Sequence, residues 1–83
     1  MEPVKTLVID DEQAICDGCR LSLSDKGLVV DACLSGTNGL ELLLGGEYDL
    51  ALLDMKLPDM NGMDILRRVR KEKPGVYVIV MTG

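Results

Sequence analysis

Carboxylates carry most of the chemistry that these 83 residues could perform. Asp10, Asp11 and Glu12 follow the apolar run Thr6-Leu7-Val8-Ile9, and Asp54 follows a second run, Leu50-Ala51-Leu52-Leu53. Acids packed together repel and raise one another's pKa values, so a cluster costs stability unless a cation offsets it. A donor set of carboxylates and carbonyls suits a hard divalent ion such as Mg2+. An ionised Asp is also, in general, a nucleophile that needs no general base. Thr82 follows a third apolar run, Val76 to Met81, and offers a hydroxyl to an anion held at Asp54. Each residue alone has a simpler reading. Asp10 or Asp11 could cap a helix, Asp54 could open a turn before Pro58, and Thr82 could be an ordinary residue after a strand. Their joint placement at the ends of apolar runs is what carries weight.

Other chemistries are poorly supplied. The sequence has no His, which removes imidazole catalysis and His-ligated metals from these residues. Cys16-Asp-Gly-Cys19 matches C-x-x-C, but Ile15, Cys16, Cys19 and Leu23 form one helical stripe, so both thiols are expected to face a core. Three cysteines without a secretory signal point to reduced thiols in a cytoplasmic protein, and a zinc site lacks its fourth Cys or His ligand. A net charge of −5 disfavours a phosphate backbone as the main partner. Tyr48 and Tyr77 are the only aromatics, too few for a base-stacking platform. No apolar run approaches the roughly 20 residues that span a bilayer. The basic segment Arg67, Arg68, Arg70, Lys71 and Lys73 is best read as the dipole-complementing end of a helix.

The elements that must position these groups are legible from periodicity. Strands are expected at 6–9, at Leu28 to Cys33, at 50–53 and at Val76 to Met81. Between them lie a helix running to about Lys26 with Gly27 as a left-handed stop, a helix opened by Ser35-Gly36-Thr37, and a third with Met63, Leu66 and Val69 inward. Asp10 and Asp11 thus end the first strand and Asp54 the third. The order βαβαβαβ implies one α/β domain, a doubly wound parallel sheet with right-handed crossovers. Ligands in such sheets collect outside the C-terminal strand ends, where the winding reverses. In the flavodoxin-like order 2-1-3-4 the first and third strands are neighbours, and three carboxylates converge.

Three stretches carry a resemblance: Leu7-Val8-Ile9-Asp10-Asp11-Glu12, then Tyr48 through Asp54 to Gly62, then Val78-Ile79-Val80-Met81-Thr82-Gly83. Over the whole chain this resembles the receiver domain of bacterial two-component response regulators, most specifically in the Asp-x-x-x-Pro-x-x-x-Gly from Asp54 to Gly62. The resemblance implies that Asp54 accepts a phosphoryl group from a sensor histidine kinase or phosphotransfer protein. It implies that Asp11, Asp10 through water, Asp54 and the Lys56 backbone carbonyl hold Mg2+. Thr82 would be the switch hydroxyl, with Pro58 and Gly62 shaping the loop. Gly18 and Gly39 depart from the family, which usually has better helix formers there. The family also continues past the Thr with a further helix, a fifth strand ending in Lys, and a last helix. Residues 1–83 are therefore expected to be an incomplete receiver domain, lacking the fifth strand and last two helices, with an output domain beyond residue 83.

Alternatives remain at this level. A Mg-dependent phosphohydrolase with an Asp nucleophile would want an acid two residues on, where Lys56 stands. A flavodoxin-like cofactor binder would want a Ser/Thr/Gly loop after the first strand, where three acids stand. An interaction module that is never phosphorylated is also compatible. The fully apolar fourth strand, left as an edge, is expected to make the 83-residue chain dimeric or domain-swapped.

Overall fold

The computed structural model describes residues 2–81. Seven elements alternate along them: β1 (Lys5–Ile9), α1 (Gln13–Ser24), β2 (Val29–Cys33), α2 (Gly36–Gly45), β3 (Leu50–Asp54), α3 (Gly62–Glu72) and β4 (Tyr77–Met81). Every strand pair is parallel and the sheet order is β2-β1-β3-β4. The chain winds from β1 out to β2, then crosses back to β3 and β4. β1 and β3 are therefore adjacent, with Ile9 opposite Leu53, and the winding reverses between them.

Alternation along the strands decides what each face buries. Leu7 and Ile9 of β1 and Ala51 and Leu53 of β3 join Leu40 and Leu43 of α2, Ile65 and Val69 of α3, and Leu57 and Tyr48 in one core. Thr6 and Val8 point the other way and are equally sealed, on the side where α1 packs over β1 and β2. On the first face α2 comes very close to β1. A Cβ on Gly39 would stand 2.6 Å from Ile9 Cδ1, which explains this poor helix former in mid-helix.

Helix ends follow local chemistry. Ser35 Oγ accepts from Asn38 N at the start of α2, and Asn61 Oδ1 accepts from Met63 N at the start of α3. Glu12 stands at the N-cap of α1 and no side chain caps the helix, so neither Asp10 nor Asp11 does so. α3 carries Asp64 in its first turn and Arg70 and Lys71 in its last, as dipole complementation requires. Arg67 pairs with Asp64 and Arg68 with Glu72 along its outer side.

Several boundaries and phases differ from expectation. α1 stops at Ser24, because Lys26 and Gly27 donate to Leu23 and Ser24 in a tightened final turn that Gly27 ends at φ +84°. Leu28 N donates to Leu23 O, so β2 starts at Val29; Val76 N donates to Lys73 O, so β4 starts at Tyr77. In α3, Ile65 rather than Met63 is buried with Val69, and Met63 stands 41% exposed at the capped end. In α1, Cys16 is buried, Cys19 only half-buried and Ile15 exposed. A single helix on that side shields its central stripe but not its flanks.

Candidate functional site

The acids meet where the sheet reverses. Asp10 follows β1 directly and is 6% exposed. Its N–H donates to Cys33 O at 3.1 Å, and its Oδ1 accepts from Glu12 N at 2.9 Å, a turn that holds the carboxylate over the strand end. Beneath it Cys16 Sγ donates to Asp10 O at 3.3 Å. Burial pushes the Cys16 thiol above its ordinary value, and the Asp10 charge adds to the effect. Cys16 is thus a neutral buried donor, the opposite of a low-pKa redox thiolate.

Asp54 closes β3 and is half-buried, with Oδ1 accepting from Lys56 N at 2.9 Å. Asp11 is exposed. One carboxylate oxygen from each of Asp10, Asp11 and Asp54 lies within 4.8 Å of the others. Three hard carboxylate oxygens at that spacing are a donor set that suits a divalent cation of the Mg2+ kind.

The loop after Asp54 returns on itself. Lys56 and Asn61 form an antiparallel bridge, Leu57 is buried between them in sequence, and Pro58 is exposed. Gly62 is buried, and a Cβ there would stand 2.7 Å from Met55 Cα and 3.3 Å from Asp54 O. Only a residue without a side chain lets α3 start this close to the backbone of Asp54. Thr82 lies outside the described residues.

Two polar links have no signal in the sequence. Asp59 accepts from Gly36 N, Thr37 N and Thr37 Oγ1, across 22 residues or more. Those bonds, led by the Thr37 amide, hold its carboxyl down to about 2. Tyr48 donates its hydroxyl to Asp31 Oδ2 at 2.7 Å, beneath Lys5 Nζ, which stands 4.8 Å from the ring centre.

Among protein families, the response regulator receiver domain matches residues 6–83. The chain belongs to that family. The transcriptional regulatory protein DltR of Streptococcus agalactiae is 40% identical over 80 residues, 96% of this chain and 36% of the relative. A CheY-like receiver domain protein from Methanospirillum hungatei superposes with a TM-score of 0.95 at 34% identity, over 99% of this chain and 66% of that one. TrrA of Thermotoga maritima, solved in complex with Mg2+-BeF, gives 0.88 at 30% identity, over 93% of this chain and 67% of that one. TrrA has also been solved in complex with the histidine kinase ThkA. The chain therefore spans about a third of the curated relative and about two thirds of the solved receivers. Receiver domains are signalling switches rather than turnover enzymes, so the family sets the phosphohydrolase and cofactor-binder readings aside. Its flavodoxin-like order 2-1-3-4 is the one expected from the sequence.

Proposed function

We propose that this receiver accepts a phosphoryl group on Asp54, in a Mg2+-dependent reaction, from a sensor histidine kinase or phosphotransfer protein. The observation that carries the proposal is the convergence of Asp10, Asp11 and Asp54 at two adjacent strand ends. An Asp54 oxygen attacks phosphorus, an O–P bond forms, and the P–N bond of the donor breaks with its electron pair returning to the imidazole. Asp10, Asp11, Asp54 and the Lys56 carbonyl would hold Mg2+, which supplies charge compensation for the equatorial phosphoryl oxygens. Asp10 is pinned at both backbone and side chain, so its carboxylate needs little ordering to serve as a ligand. Lys56 N holds Asp54 Oδ1, which leaves the other oxygen free to react. Pro58 and Gly62 shape the loop, and Thr82 is assigned the switch hydroxyl by its match to the family motif alone.

The partners follow by the same reasoning. A relative described as a transcriptional regulatory protein supports an output domain that acts on transcription, with the acidic receiver itself making no nucleic-acid contact. Among the described residues no helix is long and apolar enough to cross a membrane; a cytoplasmic location is part of the proposal. The 83-residue chain is proposed to self-associate through β4, where Tyr77, Ile79 and Val80 are exposed on an edge strand. Light scattering that finds only monomer would overturn that last point.

The main test is labelling by acetyl phosphate with MgCl2, read by intact mass. In a polypeptide extended through the family's fifth strand, one phosphoryl group is expected, and none in Asp54→Asn. Equal labelling of that variant removes Asp54 as the acceptor. In the 83-residue chain little labelling is expected, because the family's Lys is a preorganised cation for the phosphoryl oxygens.

A further inference from the structure

The loop between β3 and α3 is fastened at two places. At its base Lys56 pairs with Asn61, and Lys56 N binds the Asp54 carboxylate. At its tip Asp59 reaches another element. Oδ1 accepts from Gly36 N at 2.9 Å, and Oδ2 accepts from Thr37 N at 2.9 Å and Thr37 Oγ1 at 2.8 Å. Gly36 and Thr37 are the first two residues of α2, whose amides have no partner within the helix. Ser35 serves only the third, Asn38 N. α2 has no acid in its own first turn, so the charge that complements its positive end comes from the loop.

Packing runs alongside these bonds. A Cβ on Gly36 would stand 3.0 Å from both Leu57 Cδ1 and Met60 Cβ and 3.2 Å from Ile65 Cδ1. Loop and helix thus touch through apolar atoms as well as through the carboxylate. Only two residues, the buried Leu57 and the exposed Pro58, separate Asp59 from Lys56.

We propose that Asp59 is a positioning residue of the acidic site: its carboxylate docks the loop on α2, so that the Lys56 carbonyl is in place before a cation arrives. The proposal rests on the Mg2+ reading of that site. A loop already ordered loses little backbone freedom when the ion binds, whereas a released loop must be ordered at that moment, and affinity falls. The residue itself touches neither ion nor phosphoryl group.

The test is an MgCl2 titration of this chain by NMR, at physiological ionic strength, with amide exchange followed in parallel. Asp59→Asn is expected to raise the Mg2+ Kd about fivefold and to speed exchange at Lys56 and Leu57; Thr37→Val, which spares both amide bonds, raises it about twofold. Asp64→Asn removes the same charge from an exposed site on α3 and is expected to change the Kd by less than about twofold. An unaltered Kd in both Asp59→Asn and Thr37→Val overturns the proposal. So does an equal loss in Asp64→Asn, which would reduce the effect to charge. A wild-type chain with no saturable shift at Asp10, Asp11 and Asp54 defeats the Mg2+ reading instead. If Asp59→Asn fails to fold, Thr37→Val decides alone.

Discussion

Under α2 and α3 the sheet presents Leu7, Ile9, Ala51 and Leu53, none more than 1% exposed, whereas Ile79 and Tyr77 on the opposite face stand 52% and 79% exposed. The residue types are alike on both sides, as expected for a parallel sheet built to be covered twice. The difference lies in the cover. Two helices share the first face and thin out only at its β4 edge, where Val80 is exposed, while α1 lies over β1 and β2 and leaves the β4 end of the second face bare. Apolar character in a strand therefore reports what the sheet is built to bury. Burial itself depends on which helices are there to do it.

Matched truncations should separate the two faces most sharply. Leu53→Ala removes a sealed side chain between β1, β4 and the helices, and should cost about 2–5 kcal/mol in a urea melt. At concentrations low enough to keep the chain monomeric, Ile79→Ala, at a half-exposed edge position, should cost less than about 0.5 kcal/mol. Equal losses at the two sites would mean that the second face is covered after all.

A smaller effect is expected at the helix that comes closest to the sheet. Gly39→Ala would push a methyl to 2.6 Å from Ile9 Cδ1 and 2.8 Å from Cγ1. Ile9 is completely buried and cannot swing away, so overpacking should cost about 1–3 kcal/mol. A neutral result would show that α2 can lift from β1 and that the covered face is looser than its burial indicates.

The sequence carried the parts of this architecture that depend on pattern, and lost those that depend on distance. Strand ends were legible from the alternation of elements, while the neighbouring of β1 and β3, and with it the meeting of Asp10, Asp11 and Asp54, followed from the flavodoxin-like order. The phase of α3 was not: Met63, Ile65, Leu66 and Val69 all fit an apolar stripe, and packing chose Ile65. Asp59 read as loop chemistry in Leu57-Pro58-Asp59, since its partners Gly36 and Thr37 lie in another helix. The need for Gly at 39 emerged only with Ile9 placed against it. Gly18 found no such partner.

The alkaline limb of stability probes the rim of the covered face. Burial, reinforced by the hydrogen bond to Asp31, pushes the Tyr48 phenol from 10.0 up to about 12. The folded state thus favours the neutral phenol. That contribution is whole below pH 10.0 and is lost as pH rises through about 12. The phenol is isolated by comparing the urea midpoint of wild type with that of Tyr48→Phe at each pH. The gap between them should narrow as pH climbs. A constant gap would show that the Tyr48–Asp31 bond contributes nothing to the folded state.

The smallest expected effect has the opposite sign and lies on the other side of the sheet. Gly18 sits in the middle of α1, and a Cβ built on it meets nothing within 4 Å. Its backbone is already helical, so Ala there adds no strain and removes conformational freedom from the unfolded chain. Gly18→Ala should raise stability by about 0.5–1 kcal/mol, against the loss predicted for Gly39→Ala in the helix across the sheet. The two substitutions are chemically identical, and each falls within a helix. If helix propensity alone governed them, both would stabilise; if tertiary contact governs, they split in sign. A destabilising Gly18→Ala would mean that this side of α1 is closely covered in solution.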